Sequence, residues 1–171
     1  MVEEVCSRRA AIEQRHPQWT EMSLDSYLEK AVADFADRPL VITDGISMSY
    51  SDVLGVSRQI AAAFEAFGLQ PGERVGIIML NHPMIVPLLF AIWRLGAIAV
   101  PMNTLYRPEE LEFVVLESDC ALLITVERFG SRNYVADLDQ HLPGWRTGEC
   151  ARAPGLRSGL IFDPAGPHAF Y

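Results

Sequence analysis

At 171 residues, half of them hydrophobic and about a fifth charged, the chain is long enough for one domain, or the first layers of a larger one, with a core of its own. The formal net charge of −8, with no basic stripe and no interleaving of aromatic and basic residues, excludes nucleic acid as a natural partner.

Residues 1–22 form a polar N-terminal segment. Its first 20 residues contain no apolar h-region, so they do not read as a signal peptide. Ser23 can cap a helix from Leu24 to about Ala36, with an apolar face of Leu24, Tyr27, Leu28, Ala31 and Phe35. Two short β runs, 39–43 and 46–50, flank Asp44-Gly45, which is a hairpin signal. Ser51 then opens a second helix. Val53, Ser57, Ile60, Phe64 and Phe67 share one stripe of it, and Gly68 closes it.

Residues 74–80 are nearly all apolar and bounded by turns, as in a parallel strand covered on both faces. A helix from beyond Pro83 to about Leu95, closed by Gly96, leads into a second buried strand at 97–101. The stretch 83–100 is apolar enough to raise the membrane question. Arg94, Pro87 and Gly96 interrupt it, and a spanning helix needs about 20 mostly apolar residues, so no span is read there. Arg107-Pro108-Glu109-Glu110 starts a helix that buries Leu111, Val114 and Val115, with its acids in the first turn. A third buried strand covers 121–126. A weaker helix runs from Ser131 to about Gln140. Residues 146–155 read as a loop, 156–162 as one more strand, and 163–167 as a cluster of chain breakers. The alternation predicts an α/β fold. It has a mostly parallel sheet flanked by helices with right-handed crossovers, and a short N-terminal hairpin. Residues 23–145 form its α/β part.

Few residues point to chemistry. No glycine-rich phosphate loop is present, and the first buried strand runs into Leu80-Asn81-His82-Pro83 without a dinucleotide fingerprint. Of the histidines, His16, His82, His141 and His168, none has a metal partner at helical spacing. His82 follows the carboxyl end of a parallel strand, where sites often form, but the sequence spaces no acid or base to activate it, so it reads as a cap for the next helix. The acidic set Glu109, Glu110, Glu112 and Glu117 reads as a solvated helix face. Cys6, Cys120 and Cys150 match no zinc spacing and fit a reducing, cytoplasmic setting, with Cys120 in the core.

Four segments carry a resemblance. They are Tyr50-Ser51-Asp52-Val53-Leu54, the run from Leu69 to Pro83, the run from Arg94 to Asn103, and Arg107-Pro108-Glu109-Glu110-Leu111 with its sequel from Ser118 to Thr125. In this order and spacing they resemble the start of the large domain of acyl-adenylate-forming enzymes, the acyl-CoA synthetase or AMP-dependent synthetase and ligase family. Pro101-Met102-Asn103 looks most like the fatty or aryl acid CoA ligases.

The resemblance implies a two-step reaction. ATP and a carboxylic acid give an acyl-adenylate and pyrophosphate with magnesium, and coenzyme A then displaces AMP. It also implies a Thr/Ser/Gly loop ending in Pro-Lys-Gly, a ribose-binding Asp and a catalytic lysine on a mobile C-terminal domain. These residues contain no such loop, and the only lysine, Lys30, falls on the outer face of the first predicted helix. The expectation is an N-terminal fragment that stops before the phosphate loop, is inactive alone and binds none of these cofactors tightly. Its partner would be the remainder of the adenylation domain, and its open apolar surface would favour self-association. Arg128 and Arg132, in the loop after the third buried strand, are the implied contacts to the nucleotide phosphate of coenzyme A, a job suited to guanidinium. The plainer reading is an exposed arginine pair. Two alternatives stand beside the fragment: a free-standing non-catalytic α/β interaction module derived from that fold, and an unrelated nucleotide-binding domain, which the missing glycine fingerprints count against.

Overall fold

The computed structural model describes residues 2–15, 21–43 and 45–164. His16, His168, Asp44 and the 165–167 part of the breaker cluster lie outside the described residues. A helix α1 (Val2–Arg15) occupies the polar segment. The next elements are α2 (Leu24–Phe35), the hairpin β1 (Pro39–Thr43) and β2 (Ile46–Ser49), and α3 (Tyr50–Phe67). After them β3 (Arg74–Ile78), α4 (Ile85–Arg94), β4 (Ile98–Pro101), α5 (Pro108–Ser118) and β5 (Cys120–Val126) alternate. A small ribbon, β6 (Arg128–Phe129) and β7 (Arg132–Asn133), leads into α6 (Tyr134–His141) and β8 (Ser158–Phe162).

The main sheet is parallel, in the order β4-β3-β5-β8. From β3 the chain moves outward through α4 to β4, then crosses through α5 to β5 on the other side of β3, and continues outward through α6 to β8. Helices α3 and α4 pack on each other, as do α5 and α6. All seven residues of β5 are buried, as a strand covered on both faces requires, and each large aliphatic side chain there contributes about 1.5–3 kcal/mol. The core joins Phe64, Val75, Ile77, Leu88, Ile92, Leu122, Leu123, Tyr134, Trp145 and Phe162.

Four expectations need correction. The strand at 97–101 is not buried on both faces. As β4 it lies at the sheet edge with Ile98 46% exposed, and Pro101 suits an edge because it has no N–H to donate. Helix α2 buries Leu28 but leaves Leu24, Tyr27 and Phe35 exposed. Its inner side is set by Arg94 of α4, whose guanidinium meets Asp25 at 2.6 Å and Glu29 at 2.9 Å, while Glu29 also pairs with Arg58 at 3.0 Å. This is why a charged residue interrupts the apolar stretch 83–100. Helix α3 is capped by Ser49, two residues earlier than Ser51: Ser49 Oγ accepts the Asp52 N–H at 3.1 Å, and the Ser49 N–H donates to Asp52 Oδ2 at 2.9 Å. Finally, the helix expected from Ser131 begins at Tyr134, because Arg128-Phe129 and Arg132-Asn133 pair as a ribbon around Gly130-Ser131.

The strands read at 74–80 and 156–162 are shorter, 74–78 and 158–162, and other expectations stand. Ser23 caps α2 by accepting the Ser26 N–H, Gly68 closes α3 with φ 86°, and Leu111 and Val115 are buried on α5 with Val114 half-buried.

Candidate functional site

β3 and β5 are neighbours whose outgoing connections run in opposite directions, so a crevice opens at their carboxyl ends. This is the place where open parallel sheets bind ligands. A cavity of about 400 Å³ lies there, lined by Leu80, Asn81, His82, Val126, Phe129 and Pro164. A larger, mostly apolar cavity of about 610 Å³ adjoins it on the α3 side, between Met48, Ile60, Phe64, Phe67, Met84 and Leu160, and His82 borders both.

The loop between β3 and α4 supplies no anion cradle. Helix N-termini bind phosphate through free backbone donors, and here the donors are used. His82 Nδ1 accepts the Met84 N–H at 3.2 Å. The Ile85 N–H donates to the His82 carbonyl at 2.9 Å and the Val86 N–H to the Pro83 carbonyl at 3.3 Å. Pro87 has no N–H. The N-cap of α4 is Met84, without a side-chain cap, so His82 braces the turn before the helix instead of capping it as the sequence suggests, and its ring also stands edge-on to Phe162 at 4.9 Å between centroids.

Arg128 and Arg132 leave the crevice on one ribbon but do not converge. Arg128 pairs with Asn133 and Phe129 with Arg132. Directly opposed residues share a face and successive residues alternate, so the two arginines point to opposite faces. Arg128 is 64% exposed with Glu127 at 3.6 Å. Arg132 is 22% exposed and held inward: it meets Asp137 at 2.8 Å, the Thr104 carbonyl at 3.1 Å and the Tyr106 carbonyl, and it lies over the Tyr134 ring. It staples the β4–α5 loop to the ribbon, and Tyr134 adds a bond from its hydroxyl to the Thr104 carbonyl at 2.9 Å. The sequence shows two arginines four apart and nothing that separates their roles.

Lys30 is exposed. Cys120 and Cys150 are buried, and burial pushes the Cys120 thiol up, away from reactivity. Glu109, Glu110 and Glu117 are exposed as expected, but Glu112 is not: its side chain is 16% exposed and engages His141 and Arg152. The signal for this was its place three and four residues before Val115 and Leu116, on the flank of the buried stripe. No cluster of three or more potential metal ligands occurs among the described residues. None of the described helices is long and apolar enough to cross a membrane.

Residues 28–155 match the family model described as AMP-binding enzyme. The chain is 35% identical over 127 residues to a long-chain-fatty-acid–CoA ligase of Haemophilus influenzae, which spans 69% of this chain and 23% of that protein. Among solved structures, an anthranilate CoA ligase in complex with anthranoyl-AMP superposes with a TM-score of 0.71 at 24% identity, over 88% of this chain and 26% of that one. A long-chain-fatty-acid-CoA ligase from Archaeoglobus fulgidus does so with a TM-score of 0.69 at 20% identity, over 89% and 29%. The chain thus spans about a quarter of the length of these proteins, and its sheet, helices and hairpin are those of their N-terminal region. The chain belongs to the AMP-binding enzyme family.

Proposed function

We propose that these residues are the N-terminal part of the adenylate-forming large domain of an ATP-dependent acyl-CoA ligase. That enzyme joins a carboxylic acid to coenzyme A through an acyl-adenylate, releasing AMP and pyrophosphate. One observation carries the reading: three quarters of the chain match the family model while covering under a quarter of a ligase relative. The role of this part is to build one wall of the domain, with the remainder of the domain as its partner.

ATP and magnesium do not fit the residues present. The α4 N-terminal donors are occupied, and no acidic cluster suits a metal among the described residues. Those groups belong to parts of the enzyme that carry the Thr/Ser/Gly loop and the catalytic lysine. For coenzyme A, Arg128 is the group of the pair exposed for a nucleotide phosphate, while Arg132 braces the ribbon that carries it.

The chain by itself is expected to be inert. Pyrophosphate release with Mg-ATP, coenzyme A and a panel of fatty and aryl acids should match the blank, and calorimetry should give no micromolar affinity for Mg-ATP. Turnover that depends on this chain would overturn the reading. The alternative, a free-standing interaction module, shares the inertness and is separated from the fragment by its solution state.

A further inference from the structure

We propose that Glu112, His141 and Arg152 form an acid-released strap that fastens the 142–157 loop across α5 and α6 and so holds β8 at the edge of the sheet. The three residues come from three segments: the middle of α5, the last turn of α6 and the long loop before β8. Glu112 Oε2 lies 2.8 Å from His141 Nδ1, and its other oxygen accepts from Arg152. Arg152 also donates to the His141 carbonyl at 3.4 Å, near the end of α6, where a cation complements the helix dipole. A carboxylate kept largely from solvent is stable only when donors converge on it, and here they do.

The other charged groups nearby do not face Glu112. On α6, Asp137 pairs with Arg132, while Asp139 makes a second tie to the same loop through the Trp145 indole N–H and Arg146. In the loop, Glu149 accepts from Thr147, and on α5 itself Glu109 is exposed. The groups facing Glu112 are therefore His141 from α6 and Arg152 from the loop.

What the strap holds is the seat of β8. Trp145, Cys150 and Leu156 of this loop are buried, Trp145 lies on Gly159 of β8, and the Gly159 N–H donates to the Arg146 carbonyl at 3.3 Å. β8 touches the sheet only through β5, so the loop is its second support.

Protonating Glu112 turns the carboxylate shared by His141 and Arg152 into a neutral acid and loosens the loop. The His141 hydrogen bond, with Arg152 adding to it and partial burial opposing, holds Glu112 below its ordinary value of 4.5. A folded value below the unfolded one means the stabilisation is complete above the ordinary value and is lost as pH falls through the folded one.

The test is hydrogen-exchange protection of peptides from 145–162 and 74–78 in the full chain, from about pH 7 down to about pH 3, with Glu112→Gln and Arg152→Gln alongside. In the unaltered chain the 145–162 peptides should lose protection by about tenfold or more on acidification while 74–78 stays protected. Glu112→Gln should show that loss already at neutral pH, with no further acid step. Arg152→Gln, on the exposed loop, should lower neutral protection in the same peptides even if Glu112→Gln fails to fold. Loss of 145–162 only together with 74–78, or neutral protection unchanged in Arg152→Gln, would overturn the strap.

Discussion

Gly159 shows how one residue's neighbours overrule its local preference. In a strand a β-branched residue normally improves on glycine. A Cβ built at Gly159, however, falls 2.1 Å from two ring carbons of Trp145, which is fully buried and tied by its indole N–H to Asp139 at 2.8 Å. Gly159→Val is therefore expected to destabilise by about 1–3 kcal/mol through overpacking. It should lower the urea midpoint at an unchanged slope; an unmoved midpoint would mean that Trp145 does not sit on β8. Arg132 and Glu112 teach the same lesson with charges. Each looks like surface in the sequence, and each is turned inward by partners distant along the chain: Thr104 and Tyr106 for Arg132, His141 and Arg152 for Glu112.

At the scale of elements, periodicity locates the helices well and their first residues less well. Ser49 and Ser51 are both good cap residues by type. Only Ser49 has an acid three residues later to close a capping box, and the chain uses it. Ser49→Ala should cost about 1 kcal/mol in urea unfolding, and Ser51→Ala only a few tenths. Equal effects would mean that the helix start is frayed across both serines. For α2 the apolar stripe reads clearly in sequence, but Arg94 recruits Asp25 and Glu29 and turns the helix so that Tyr27 is 66% exposed. An ion pair between elements 65 to 69 residues apart leaves no periodic trace.

At the scale of the whole molecule, uncovered apolar surface dominates. Leu24, Tyr27, Ile42, Ile98, Leu105, Phe113 and Phe129 are all exposed, and β4 offers an open edge. A net charge of −8 opposes association, but screening over about 8 Å at physiological salt leaves contacts between apolar patches little affected. The chain is expected to self-associate. Size exclusion with light scattering, alongside an apolar dye, checks this. A monomer without dye response over a wide concentration range would favour the self-covering interaction module over the fragment.

By itself the sequence determined the α/β class, the order of the four sheet strands along the chain, the burial of Cys120 and the family. These rest on period, turn residues and short motifs, all of which act between near neighbours. Tertiary structure alone decided that β4 is an edge, that Arg128 and Arg132 face apart, that Glu112 is drawn inward and that Trp145 covers Gly159. Each of these depends on which distant segments meet. Pairing order and close packing are set by the whole chain folding at once, so no window of sequence contains them.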